Sequence, residues 1–510
     1  MTESKNLRLG VVFSYINIAA SLIVSLLYTP FLLGSLGQQQ YGLYNMGQAA
    51  VSYLGLAEFG FGNAVVRYSA KYRAEGNDEK TAGLYGVFMY IYGFLALLIL
   101  TLGMLLIAFV DRFYTVSTGD EGYRQLRIIM LIMVINLSFS FFATPFSAII
   151  TAHERFTFAK VNNLIYTLLK PLVMIPLLLW GYKAITMSLV TLILTVFMHC
   201  ANIIYAKRRL HIRINLNRRE LDFGIVKEII GYSFFIFLGT IVGQLNDYAD
   251  SVILGVISGE IAVAVYSVGY ILNTYMQQIP TTVSSVFFPR VTKQITAGAS
   301  MEEMSELMIR IGRIQFYLAF LVCSGFALFG REFIYLWTGS DYAAAYWIVL
   351  VLAIPAVIPN IQVIPVLVIQ AQNKHQFKAI LYVVCAILNV ALSIPAGLKW
   401  GPIGCAACTG LTTILTKGIA INWYYTKKIH LQIGTFWKTI LLLLARLICI
   451  VPTGIFLNYL IKDASWISLS GKVVVYSVLF AVYAYFACLN KEEKYLLTET
   501  INKFRRLKRI

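Results

Sequence analysis

A chain of 510 residues could bury a large water-soluble core, yet 59% of these residues are hydrophobic and only 13% are charged. Soluble domains carry about a quarter charged residues, so this composition and a mean hydropathy of +0.73 exclude an ordinary soluble protein. The apolar residues fall in blocks of roughly 20 to 30, the length of helix that crosses about 30 Å of hydrocarbon. Lipid-facing backbone must satisfy its own hydrogen bonds, and long blocks without strict alternation leave helices rather than a closed barrel.

The first block, residues 9–33, follows Lys5 and Arg8 and ends in Pro30 and a Gly-rich turn. It is too long for the apolar stretch of a cleaved leader, so a retained first helix is expected. Further spans are predicted at 41–66, 82–110, 126–151, 158–180 and 184–205. After a polar stretch come 226–257, 262–288, 311–337, 343–370, 380–398, 402–425, 436–461 and 467–489, making fourteen. The seven cysteines (200, 323, 385, 405, 408, 449 and 488) all lie in apolar blocks. Cys405 and Cys408 form a CxxC inside a run of small residues, which reads as a helix contact before it reads as a redox or metal pair.

Orientation follows from the basic residues. With the N-terminus cytoplasmic, 31 of the 42 Lys and Arg lie on inner segments and 8 on outer loops. The other three, Lys170, Lys417 and Arg446, lie within spans. Both ends are therefore expected in the cytoplasm. The net charge of +18 is divided among inner loops, chiefly residues 207–227 and 491–509. That distribution suits anionic membrane lipids and argues against nucleic acid.

An internal repeat runs at a period near 220 residues. Trp180-Gly181 is echoed by Trp400-Gly401, and Ile175-Pro176 by Ile394-Pro395. Pro145, Ala152 and Phe156 answer Pro365, Ala371 and Phe377, while Leu33-Gly34 and Tyr44 answer Leu254-Gly255 and Tyr266. Arg67 and Arg290 take corresponding places at the inner ends of spans two and eight. Six spans per unit preserve orientation, so the expected architecture is an all-α membrane protein with two six-helix lobes in a parallel repeat. The lobes are 1–206 (helices 1–6) and 226–428 (helices 7–12), joined by a basic cytoplasmic linker, 207–225. Helices 13–14 (429–490) and a basic tail (491–510) follow. Paired bundles suit alternating access around a site between them.

Several stretches carry a family resemblance: Tyr41-Gly42-Leu43-Tyr44; Leu56-Ala57-Glu58-Phe59-Gly60-Phe61-Gly62; Val66-Arg67-Tyr68; Asp250-Ser251-Val252-Ile253-Leu254-Gly255; and Ala264-Val265-Tyr266-Ser267. With Phe288-Pro289-Arg290-Val291 and Ala371-Gln372-Asn373-Lys374, they resemble the polysaccharide branch of the multidrug/oligosaccharidyl-lipid/polysaccharide exporter superfamily. The branch is the Wzx-type flippase. The resemblance implies a bacterial inner-membrane transporter of undecaprenyl-pyrophosphate-linked oligosaccharide for surface polysaccharides such as O-antigen, lipopolysaccharide, capsule or exopolysaccharide. It also implies a polysaccharide polymerase and a chain-length regulator as partners.

Charges inside the bilayer cost about 2.5 to 3.5 kcal/mol each and so call for a reason. Lys170 lies midway along span five; a cavity cation for the pyrophosphate and a structural pairing with Glu58 are the alternatives. Arg67 and Arg290 could fork onto the pyrophosphate where substrate enters or serve as topogenic charges. Lys417 and Arg446 are either substrate contacts or snorkelling cations. In span seven Asp247 and Asp250 share a helix face. Resemblance to related lipid-linked precursor flippases points to a sodium site at Asp250, Asn389 and Thr409, with Asn389 and Ser393 on one face. The alternative is that these polar groups gate or hydrate the cavity. No P-loop occurs, so no cofactor is expected, and a sodium or proton gradient or consumption of substrate outside would supply drive. The rivals are a cation-coupled multidrug exporter of the same fold, a membrane glycosyltransferase or polymerase, and a non-transporting scaffold. The first lacks a use for cavity cations, and the second lacks a sizeable outer loop, the longest being residues 111–125.

Overall fold

A computed structural model describes residues 2–217, 224–285, 291, 293–295, 297–372, 374 and 376–494. Among these residues the regular structure is helical throughout, as backbone in hydrocarbon requires. The first half runs α1 (Thr2–Leu54), α2 (Phe61–Ala74), α3 (Asp78–Ala108), α4 (Gly119–Ala152), α5 (Phe156–Leu179) and α6 (Ala184–Arg209). The second runs α7 (Ile225–Ile257), α8 (Gly259–Ser285), α9 (Met301–Thr338), α10 (Ala345–Asn360), α11 (Val363–Ala371), α12 (Gln376–Thr413) and α13 (Ile421–Lys427). The last helices are α14 (Ile433–Leu447), α15 (Val451–Leu460) and α16 (Trp466–Tyr483).

Nine helices among the described residues are long and apolar enough to cross a bilayer, or up to eleven if each of two bent pairs is one span. Two of the nine are too long for one crossing. Ile16–Ala74 holds 59 residues and Phe377–Lys427 holds 51, whereas about 20 suffice. Each contains a glycine outside helical geometry, Gly37 (φ 71°, ψ 171°) and Gly401 (φ 57°, ψ −140°). Division at these glycines, with α8 added, gives a layout compatible with fourteen spans. The chain is a multi-pass membrane protein.

The repeat is also written in the backbone. Eight of the nine positive-φ glycines among the described residues form four pairs: Gly37 with Gly259, Gly76 with Gly298, Gly119 with Gly339, and Gly181 with Gly401. His211 and His430, two of the four non-glycine residues at positive φ, make a fifth pair, and the partners all stand 219 to 222 residues apart. Left-handed backbone is costly for residues with a Cβ, so these turns hold their glycines for a conformational reason. The same turn chemistry therefore recurs at equivalent points of both halves.

By packing, the chain divides into two compact units, Met1–Ser267 with Ala386–Cys405, and Val268–Cys385 with Ala406–Ile510. In the first, Tyr68, Phe88, Tyr92, Phe141 and Ile149 centre a buried core. Span two, expected to be continuous, is interrupted there by a 3-10 turn at Gly55–Glu58, followed by Phe59 (φ 55°) and Gly60 (φ 75°). The Glu58 carboxylate heals the break, accepting from the Gly62 N–H and the Tyr92 hydroxyl, each at 3.2 Å. The linker also begins as part of this unit. Asn215 N–H donates to Ala82 C=O at 3.0 Å, Tyr90 Oη donates to Leu216 C=O at 2.9 Å, and Ile212 and Ile214 pack on the core. His211 and Arg213 face outward.

Within α12 the CxxC lies where small residues allow close approach. A Cβ on Gly404 would fall 2.2 Å from the Ala396 carbonyl oxygen, and among the described residues neither Cys405 nor Cys408 is in a disulfide. The second unit packs around Met304, Met308, Phe316, Ile364, Tyr425, Phe436 and Tyr476. Two buried ion pairs lock it. Arg313 meets Glu493 at 2.6 Å and Lys472 meets Glu332 at 2.6 Å. Tyr317 and the Cys488 carbonyl complete the first pair: Arg313 donates to both at 3.1 Å. The start of the tail is thus part of the folded unit.

Two outcomes follow. Removing one member of a buried pair leaves an uncompensated charge, at about 3–5 kcal/mol; Glu493→Ala should therefore lower the detergent melting temperature well below that of Lys491→Ala. Gly37→Val and Gly401→Val place a β-branched residue in glycine-only backbone, costing of order 1–3 kcal/mol. Gly34→Ala, with nothing within 4 Å of the added Cβ, should change little on the same melting curves.

Candidate functional site

A buried polar cluster inside the first unit surrounds Asp250. This carboxylate lies near the end of α7 and is only 3% exposed. Tyr266 Oη, one helix on, donates to Asp250 Oδ2 at 2.6 Å. Ser393 Oγ, from α12, lies 2.9 Å from Asp250 Oδ1 and 3.2 Å from Asn389 Oδ1. The spacing of four between Asn389 and Ser393 puts both on one face, and both are buried. A carboxylate, an amide oxygen and two hydroxyls thus converge. Hard oxygens of this kind suit a small cation such as sodium or a proton.

Of the four residues expected for ion coupling, the structure brings together Asp250 and Asn389. Asp247 is exposed on the same helix, with Tyr53 and Tyr248 as electrostatic neighbours, and Tyr53 also feels Asp250. Thr409 is half-buried and belongs to the second unit. Sequence reasoning missed Tyr266 as a partner of Asp250. The two stand sixteen positions apart across the Gly259 turn, a separation that no helix periodicity reports. Ser393, which the spacing places on one face with Asn389 and where the resemblance leads one to expect a second acid, is the link between the two expected residues.

The expected substrate contacts are distributed more widely. Lys170 is half-buried in α5, and its electrostatic neighbours are Tyr44 and Tyr166. Glu58, the alternative partner considered for Lys170, is engaged instead by Gly62 and Tyr92. Arg67 is exposed on α2, its guanidinium 4.3 Å from the Tyr232 ring centroid and 5.8 Å from that of Tyr68. Such faces hold a guanidinium in place while leaving its edge N–H groups for an anion. Arg290 lies outside the described residues.

In the second unit, Lys417 stands in a π-helical turn, Ile414–Ala420, a departure from α geometry frequent at functional sites. Its ammonium is 5.3 Å from the Tyr382 ring centroid, and Lys378 approaches the same ring at 5.1 Å. Tyr382 therefore gathers two cations, an arrangement that sequence spacing did not reveal. Arg446 is exposed in the last turn of α14, where a cation offsets the carbonyl end of the helix dipole.

Comparison with known proteins places this geometry in a family. The family described as polysaccharide biosynthesis protein matches residues 10–295. EpsK of Bacillus subtilis, an uncharacterized membrane protein, is 22% identical over 498 residues, 95% of this chain and 95% of that one. Agl15 of Haloferax volcanii, a probable low-salt glycan biosynthesis flippase, is 22% identical over 276 residues, 53% of this chain and 57% of its own. Among solved structures, the lipid II flippase MurJ in an inward closed conformation has a TM-score of 0.72 at 16% identity, covering 93% of this chain and 98% of its own. An inward-facing multidrug resistance MATE transporter of the MOP superfamily has a TM-score of 0.67 at 13% identity, covering 84% of this chain and 99% of its own. At such identities the structural likeness is one of fold. The match over more than half its length shows that this chain belongs to the polysaccharide biosynthesis protein family.

Proposed function

We propose that the protein is a flippase that moves undecaprenyl-pyrophosphate-linked oligosaccharide from the cytoplasmic to the outer leaflet of the bacterial inner membrane. Its termini are cytoplasmic, the lobes alternate in access, and the product feeds surface-polysaccharide assembly by a polymerase and its chain-length regulator. The observation that carries this reading is the family match across residues 10–295. Two relatives named as flippases, one of lipid II and one for glycan biosynthesis, support it.

The chemistry of the chain's own residues gives the reading a mechanism. A lipid-linked pyrophosphate keeps its tail in hydrocarbon while the anionic head must cross. Arg67, held on tyrosine faces, would capture the head at the inner surface, with Arg290 as its counterpart in the second half. Lys170 would receive it midway, where low dielectric strengthens the attraction well beyond its value in water. Lys417 and Arg446 are further candidate contacts, and Glu58 acts through α2, whose start it fixes. Drive would come from a sodium or proton gradient through the cluster of Asp250, Asn389 and Ser393, with Asp247 and Thr409 as candidate contributors. A bound ion shifts the conformational balance only by its difference in affinity for the two states. A cation-coupled drug exporter shares the fold, but Lys170 and Lys417 favour an anionic cargo. A glycosyltransferase or polymerase would need an outer catalytic domain, for which residues 111–125 offer little room.

Deletion of the gene should leave the complete lipid-linked unit on the cytoplasmic leaflet, read by its inaccessibility to an added periplasmic-side glycosidase. Lys170→Ala should restore at most a tenth of wild-type polymer, and Lys170→Arg substantially more. If the unit reaches the outer leaflet unhindered and only drug resistance falls, the exporter reading replaces this one. Arg67→Ala should slow transport several-fold at low substrate and little at saturation, as loss of a capture step requires. An equal loss at all substrate levels would contradict a capture role.

A further inference from the structure

The repeat permits a comparison that neither half offers alone. Asp250 stands four residues before Leu254, and Thr29 stands four before its repeat partner Leu33, both within uninterrupted helix. Asn389 stands five residues before Ile394, and Lys170 five before its partner Ile175, again within continuous helix. Tyr266 pairs with Tyr44 in the same register, and Ser393 with Met174. The paired glycine turns at Gly37 and Gly259, and at Gly181 and Gly401, fix this register from the backbone.

Each repeat makes contacts among these positions, though between different members. In the second repeat, Tyr266 bonds Asp250 and Ser393 links Asp250 to Asn389. In the first, Tyr44 is an electrostatic neighbour of Lys170. Thr29 and Met174 are buried like their counterparts. At corresponding positions the two halves therefore differ in charge. One has a carboxylate with an amide; the other has a neutral hydroxyl with an ammonium.

We infer that Lys170 is a tethered cation, occupying in the first repeat the place that an exchangeable small monovalent cation takes in the second. This rests on the ion-coupled reading above and extends it. The chain binds one such ion, at Asp250, and the equivalent place in the first half is closed to cations. Lys170 thereby presents a permanent positive charge, one that needs no ion uptake before it meets an anionic head group. The gradient then acts on one half, while the anion is received by the other.

The experiment uses purified full-length protein and sodium alone as the probe, with binding of radioactive sodium measured against protein concentration and the Tm recorded in parallel. The expected result is one sodium per chain for wild type. Asn389→Lys, which copies the first-repeat arrangement into the second, should weaken sodium binding at least tenfold while leaving the Tm unchanged or higher. Thr29→Asp combined with Lys170→Asn, which copies the second-repeat arrangement into the first, should raise the stoichiometry to two. This second variant keeps the test open should Asn389→Lys fail to fold. Two sodium ions in wild type, or undiminished binding by a folded Asn389→Lys, would overturn the inference. Absence of sodium binding by wild type, with proton uptake on acidification also unchanged by Asp250→Asn, would overturn the ion site itself. The flippase reading is judged separately by the leaflet location of the lipid-linked unit, so the two failures are distinguishable.

Discussion

A polar group left unsatisfied in hydrocarbon costs several kcal/mol, and an ionised one commonly costs more. That single constraint organises this molecule. It requires helices across the apolar blocks, because no other open-ended backbone satisfies itself there. It also requires each charge inside the fold to have a partner or a function. Glu58 satisfies the N–H left exposed by the break in span two. Arg313 and Glu493 neutralise each other, with Tyr317 and the Cys488 carbonyl taking further hydrogen bonds. Asp250 is held by two hydroxyls. These structural charges are closely satisfied, whereas Arg67 and Lys417, two of the cations proposed to meet substrate, rest against tyrosine rings.

Duplication gives this constraint a further consequence. A repeated bundle inherits its turns together, and paired positive-φ glycines show that those turns have been kept. The interior was free to diverge between the copies because a helix surface accepts new side chains without moving the backbone. One copy then came to hold Asp250 with Asn389, and the other Lys170 with Thr29. Under the proposed function the cargo is anionic and the drive cationic, so both signs of charge are needed in the interior, and the repeat offers a place for each.

Much of the fold was legible in the sequence because its signals are local. Span length, basic loops and the Trp-Gly turns are each read within a few residues. The break at Gly55–Gly60 was not legible, since Gly60 and Gly62 in an apolar run resemble small-residue packing as much as an interruption. The site was legible in part. Asp250 stood out by its helix spacing with Asp247, and Asn389 through family resemblance, whereas the contacts of Tyr266 and Ser393 run across a turn and between helices. Tyr382, which gathers Lys378 and Lys417, is one tyrosine among 32. Aromatic abundance at membrane interfaces hides such a residue until its neighbours are known. The docking of residues 212–216 was missed because the linker's positive charge was assigned to lipid headgroups, while the alternation of Ile212 and Ile214 with His211 and Arg213 was the signal of a segment lying on a core.

One proposal ties the site together: an anion-receiving interior and a cation site in one chain move a lipid-linked head group. Its most direct test is flipping of a fluorescent undecaprenyl-pyrophosphate-linked saccharide in proteoliposomes holding the purified protein, with and without an imposed sodium or proton gradient. Flipping should be accelerated by an ion gradient, become indifferent to the gradient in Asp250→Asn, and fall to at most a tenth under both conditions in Lys170→Ala. Flipping at the wild-type rate by Lys170→Ala, or none by wild type under any gradient, would contradict the proposal.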